Sequence, residues 1–127
     1  METISVRYIV EDAAEAAGFY RDMLGFNVEA NPGPGFAMLS KGALRLLLNA
    51  AGAGGAGQQM PDGSSPQPGG WNRIQLQSDD LEAEIERLNG LGAKFRNTLV
   101  QGRGGKQILL EDPSGNLIEL FEPARQP

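Results

Sequence analysis

Neither cysteine nor histidine occurs among the 127 residues. The first absence excludes disulfides and thiolate metal sites, and it permits a reducing compartment. The second removes the commonest side-chain metal ligand and the usual general base near neutral pH. Any catalysis must then come from carboxylates, Tyr, Lys, Arg, amides, hydroxyls or a bound cofactor. A basic stripe is also missing: 11 Lys and Arg face 16 Asp and Glu, spread along the chain for a net charge of −5. That balance argues against a nucleic-acid partner. No apolar run approaches the ~20 residues that span a bilayer, and no basic segment leads into an apolar stretch after Met1. The expectation is a cytoplasmic chain of one domain, with no membrane partner.

What is present is punctuated regularly. Residues 4–10 alternate with period two and predict a strand. Asp12 stands where a helix N-cap should, with Glu15 at the capping-box spacing. Ala16, Phe19, Tyr20 and Met23 form an apolar stripe, and Gly25 supplies the left-handed residue that ends the helix near Leu24. Strands are predicted over 26–30, 36–40 and 44–49, with turns at 31–35 and 41–42. Residues 50–70 are rich in Ala, Gly, Pro, Ser and Gln and read as a connector with little regular structure. The pattern then returns. Residues 71–77 predict a strand, and Asp79 a helix cap with Glu82 in the box. Leu81, Ile85, Leu88 and Leu91 give the stripe, and strands follow near 94–98, 106–110 and 117–121.

The order βαβββ thus occurs twice, with Ser5 and Arg73 offset by 68 residues and Gly25 and Gly92 by 67. Internal repeats of this kind constrain the fold more than any local propensity. The run Val10-Glu11-Asp12 followed by Phe19-Tyr20-Arg21-Asp22-Met23-Leu24-Gly25-Phe26 resembles the opening of vicinal oxygen chelate proteins, the glyoxalase, bleomycin-resistance and extradiol-dioxygenase superfamily. The run Glu111-Asp112-Pro113-Ser114-Gly115-Asn116-Leu117-Ile118-Glu119-Leu120 resembles their closing motif. The resemblance implies an α+β fold. Two βαβββ modules, at 3–49 and 71–122, would form an open cup-shaped mixed sheet, with the connector as a lid or dimer contact. It also implies a homodimer.

Metal-dependent members of that superfamily hold a divalent ion with side chains from four strands. The resemblance maps those positions onto Ser5, Arg45 or Leu46 (the register is open), Arg73 and Glu119. Only Glu119 is a good ligand, whereas catalytic sites typically take three from the protein. No metal and no cofactor are therefore expected. By strand alternation, Ser5, Arg7 and Ile9 should share the cup face, as should Arg73, Gln75 and Gln77, with Glu119 on the last strand.

Glu119 without an ion needs a cation, and Arg73 is the natural one. Such a pair either cross-links two strands or belongs to a binding site. Arg7 either lines the cup or pairs with Glu11 or Glu29 at the rim. Surplus arginine would favour an anionic ligand. Phe36 and Met38 lie on a cup strand. Trp71 is either an aromatic wall for a ligand, or core packing or a dimer contact, buried for area alone. Tyr8 and Tyr20 read as core. The 102–105 turn reads as a mobile loop. Two functions compete. One is a metal-free small-molecule binder, its ligand anionic or aromatic, in which the Arg73–Glu119 pair replaces the metal centre. The alternative is an enzyme of the superfamily acting on a small, anionic substrate: a lyase or isomerase with Glu119 as the catalytic base, or a metal enzyme such as a dioxygenase with an unexpected ligand set.

Overall fold

The computed structural model describes residues 3–30 and 32–125. Asn31, in the turn expected after the second strand, lies outside them. The elements run β1 (Ile4–Val10), α1 (Ala13–Leu24), β2 (Asn27–Val28), β3 (Phe36–Lys41), β4 (Leu44–Ala50), β5 (Arg73–Gln77), α2 (Leu81–Gly90), β6 (Lys94–Phe95), β7 (Val100–Gln101), β8 (Gly105–Glu111) and β9 (Leu117–Pro123). The α+β class and the repeated strand–helix–strands order are those read from the sequence. Two compact units result. The first holds the chain up to Gly69 together with Pro113–Asn116, and the second holds Gly70–Asp112 and the chain from Leu117 onward. No helix among the described residues is long and apolar enough to cross a membrane.

The first unit is a four-stranded sheet in the order β1-β4-β3-β2, with β1 parallel to β4 and the other pairs antiparallel. One face is apolar and closed: Tyr8, Val10, Ala37, Leu39, Leu46 and Leu48 are all buried. Alternation makes that face continuous across three strands. Helix α1 turns Ala13, Ala16, Ala17, Tyr20 and Leu24 inward to meet it. Small residues at the first three positions allow close approach. Tyr20 is fully buried and meets Phe19 and Phe26 edge-on, at 5.1 and 5.4 Å between ring centres. The helix begins where expected: the Asp12 carboxylate accepts from the Glu15 amide at 3.0 Å. It ends at Gly25, whose φ of 73° lies in the left-handed region.

The connector gives up Ala50 to β4, carries no helix or strand beyond it, and closes on itself by hydrogen bonds such as Gly57 N to Ala53 O at 3.1 Å and Met60 N to Ser64 O at 2.7 Å. Asn116 is buried and serves this unit from the Pro113–Asn116 turn. Its amide donates to the Ile9 carbonyl at 2.8 Å and its oxygen accepts from Gly69 N at 2.7 Å. A single side chain thereby satisfies one backbone acceptor and one backbone donor.

The second unit pairs β5-β9-β8-β6, with β7 also on β8. Ile74, Ile108, Leu110, Ile118 and Leu120 are buried, as are Leu81 and Leu88 from α2. Four details correct the sequence reading. The cap of α2 is Asp80, not Asp79: the Asp80 carboxylate accepts from Ala83 N at 3.1 Å. This places it 68 residues after Asp12, so the repeat is truer than the choice of Asp79 allowed. Leu91 is half exposed because the helix ends at Gly90, and it leaves the stripe. The strand expected at 26–30 is trimmed to Asn27–Val28.

The strand expected at 94–98 is cut to Lys94–Phe95, and a further short strand that was not expected follows at Val100–Gln101. Lys94 pairs with Glu111 and Phe95 with Leu110, but Val100 pairs with Gln107, where an unbroken ladder would offer Gly105. Inside the break, the Asn97 side chain accepts from Leu109 N at 2.9 Å. An amide side chain replaces a missing backbone acceptor, so the extra residues leave no buried donor orphaned.

Candidate functional site

The helix-free face of each sheet carries the polar side chains that sequence reasoning singled out. In the second unit, Ile74 and Ile118 point to the α2 side, so Arg73, Gln75 and Glu119 point the other way. Gln75 and Glu119 are register partners on parallel strands, and Arg73 is the diagonal neighbour. Arg73 donates to Glu119 Oε1 from Nε at 3.1 Å and from Nη2 at 2.9 Å. Gln75 Nε2 donates to Glu119 Oε2 at 2.6 Å. Both guanidinium donors converge on one oxygen, and the amide takes the other. The Glu119 side chain is 10% exposed and that of Arg73 is 29% exposed. Arg73 is itself oriented, because its Nη1 donates to the Trp71 carbonyl at 3.2 Å. The ion pair expected from the sequence is therefore present, reinforced by Gln75.

Trp71 is not core. It lies before β5 rather than in it, and 68% of its surface is exposed. The Arg96 guanidinium sits 5.8 Å from its ring centre, within cation–π range. Arg96 Nε also donates to Glu111 Oε2 at 3.1 Å, and Lys94 Nζ stands 3.8 Å from Glu111 Oε1. Sequence reasoning missed Arg96, Lys94 and Glu111. Glu111 shares the alternation of Leu109 and Gln107 and could have been placed on this face. Arg96 could not, because it lies at the break between β6 and β7.

The Arg96 hydrogen bond holds the Glu111 carboxyl below its ordinary value of 4.5; burial opposes this, and the charges of Arg96 and Lys94 add to the lowering. A carboxyl whose folded pKa is depressed contributes stability above its unfolded pKa and loses it as pH falls through the folded one. Wild-type protein is therefore expected to lose more stability than Glu111→Gln as pH falls from about 5 into the acid range. Denaturant titrations of both proteins across that window test this, and parallel acid slopes would remove Glu111 from the account.

In the first unit, Ser5 and Arg45 are register partners on β1 and β4, and both are exposed. Leu46 is fully buried against the α1 side, so the open register resolves in favour of Arg45. Arg7, Phe36 and Met38 share that helix-free face by alternation with Tyr8, Ala37 and Leu39. Phe36 is exposed and Met38 half-buried. Arg7 pairs with neither Glu11 nor Glu29. Its Nη1 donates to Asn49 Oδ1 at 2.5 Å, and Asn49 is buried. Asn49 was another omission, legible in the same alternation as Arg45 and Leu47.

These donors do not fit a divalent metal. In the first unit the ligand positions hold a hydroxyl and a guanidinium. In the second they hold a guanidinium and a carboxylate whose two oxygens are already bound. Among the described residues no group of three or more His, Cys, Asp or Glu gathers to hold an ion.

Comparison with known proteins agrees with this architecture. Residues 4–121 match the family described as the glyoxalase-like domain. None of the curated proteins is significantly similar in sequence. Among solved structures, an antibiotic binding protein from Streptomyces sp. CB03234 is 25% identical, with a TM-score of 0.73 over 98% of this chain and 97% of its own. Lactoylglutathione lyase from Agrobacterium tumefaciens is 20% identical, with a TM-score of 0.74 over 95% and 92%. A glyoxalase/bleomycin resistance protein/dioxygenase superfamily member from Sphaerobacter thermophilus is 23% identical, with a TM-score of 0.74 over 96% and 97%. With its repeated βαβββ units, its two motifs and a match over nearly its whole length, the chain belongs to the glyoxalase-like domain family.

Proposed function

We propose that this protein binds a small molecule without a metal, on the helix-free face of its second sheet. The Arg73–Glu119–Gln75 network stands there in place of a metal centre. The observation that carries this reading is that both Glu119 oxygens are engaged. Two guanidinium N–H groups and one amide N–H occupy its two oxygens. A carboxylate so held is a poor metal ligand and a poor base, because either role must first break charge-assisted hydrogen bonds. What it does well is fix its partners in place.

Trp71 supplies the adjacent surface. A large exposed aromatic beside a guanidinium is a platform for a flat, electron-rich or anionic ring. The antibiotic-binding Streptomyces protein, at 25% identity over nearly the full length of both chains, supports binding over turnover. The chain contains one tryptophan, so its fluorescence reports this site alone. Flat aromatic antibiotics and dyes are expected to quench it saturably and to raise the melting temperature, since a ligand that prefers the native state stabilises it. Zn²⁺, Mn²⁺ and Ni²⁺ are expected to change neither signal. Purified protein carrying a stoichiometric ion that is lost in Glu119→Gln would overturn the reading in favour of a metal enzyme.

A further inference from the structure

Five arginines lie on helices or strands. Arg21, Arg73 and Arg87 each form an ion pair with a carboxylate. Arg7 and Arg45 do not: among the described residues no ion pair holds either of them, and the Glu29 carboxylate nearest in the ladder to Arg45 is taken by the hydroxyl of Ser40, the register partner of Arg45 on β3. This is notable in a chain whose acidic residues outnumber its basic ones by 16 to 11. Both stand on the helix-free face of the first sheet. Arg45 is the register partner of Ser5, and Arg7 is two residues along the same strand, so the two residues are diagonal neighbours on one face. Strands in a sheet lie about 4.8 Å apart, which long side chains span easily.

Asn49 explains how this arrangement persists. It is 3% exposed, its Oδ1 accepts from Arg7 at 2.5 Å, and its Nδ2 donates to Ala53 O at 3.5 Å. A carboxylate at this position would aim Arg7 equally well but would cancel its charge. An amide aims it and leaves the charge available. Phe36 is the register partner of Asn49 on β3, and Met38 is two residues further along the same face. The face therefore offers two guanidiniums outside any ion pair and a Ser5 hydroxyl beside an apolar strip.

We infer that the helix-free face of the first sheet binds the oxyanion head, carboxylate or phosphate, of a small molecule with an apolar body. Arg7 and Arg45 take the anion, and Asn49 is the positioning residue. This stands on the first unit alone and does not depend on the role proposed for Trp71 and Glu119.

The test follows the arginine Nε–H resonances of the whole protein by NMR while benzoate, phenyl phosphate or neutral benzamide is added. The Arg7 and Arg45 signals are expected to shift saturably with at least one of the two anions and not with benzamide, and the tighter anion identifies the head group. Arg45→Gln should weaken that anion about tenfold, the loss expected for one charge-assisted hydrogen bond. Asn49→Asp should weaken it comparably although Arg7 is retained, a result that a merely structural role for Asn49 would not give. The inference is overturned if neither anion shifts these signals, if Arg21 and Arg87 shift equally, or if Arg45→Gln binds as wild type.

Discussion

Arg73→Ala is expected to destabilise the protein by about 2 kcal/mol, between the ~3–5 kcal/mol for breaking a buried pair and the ~1 kcal/mol or less of an exposed one. The reasoning starts from Glu119, whose side chain is 10% exposed. Without the guanidinium, its Oε1 loses two donors and only Gln75 remains on Oε2. The charge stays, but its compensation goes. Arg73 is itself 29% exposed, so water can partly replace it, which places the estimate below the fully buried case. For a chain of this length the melting temperature should fall by roughly 6–10 °C. A second variant isolates the cause. In the Arg73→Ala background, Glu119→Gln removes the orphaned charge and should recover a measurable part of the loss. The cycle of single and double variants then yields a coupling energy for the pair. Denaturant unfolding of the four proteins provides the numbers. A cost of a few tenths of a kcal/mol for Arg73→Ala, or no recovery in the double variant, would show that the pair does not hold these strands together.

Gly105→Ala should be the more damaging change, at about 3 kcal/mol from backbone strain and overpacking combined. Gly105 opens β8 opposite Pro123 and has φ +146°, a conformation that L side chains rarely adopt. A Cβ placed there would lie 2.0 Å from the Glu122 carbonyl oxygen and 2.9 Å from both Ala124 N and Pro123 Cα. All three are backbone atoms of the neighbouring chain segment, so no side chain can rotate away. The turn is also closed by hydrogen bonds, Gly102 N to Gly105 O at 2.9 Å and Ala124 N to Gly104 O at 2.8 Å. Gly104 is the internal control. A Cβ at that position meets nothing within 4 Å, and Gly104→Ala should change stability by no more than about 0.5 kcal/mol. Equal melting temperatures for the two alanine variants would show that the turn relaxes freely.

That turn also marks a limit of sequence reading. Gly102-Arg103-Gly104-Gly105 reads as a mobile loop because glycine and exposed charge are all that composition offers there. The packing of Gly105 against β9 is a contact between residues 17 and more apart in sequence, and no local signal encodes it. The break between β6 and β7 is similar. Residues 94–101 are long enough for one strand, and only the pairing partner reveals that the ladder slips and that Asn97 covers the gap. The Asp79 error has the same origin. Two adjacent aspartates compete for one cap, and the choice belongs to where α2 meets its sheet: Leu81 N donates to Glu122 on β9 at 2.8 Å.

By itself the sequence determined the repeat, the two helices, the capping at Asp12 and Gly25, and the faces of the strands that carry Ser5, Arg7, Arg73, Gln75 and Glu119. These are consequences of period-two and period-3.6 patterning and of backbone sterics, which act locally and can be read along the chain. It also determined that histidine and thiolate chemistry are absent. Only the tertiary structure decided that Arg45 and not Leu46 shares the face of Ser5, because register is set by which neighbour buries its leucine. Only it showed that Gln75 completes the Glu119 network, that Trp71 is exposed beside Arg96, and that Arg7 rests on a buried amide rather than a carboxylate. The physical reason is common to all of these. Whether a charge is compensated depends on atoms within about 4 Å in space, and around Arg7 and Glu119 those atoms lie 42 to 46 residues away along the sequence.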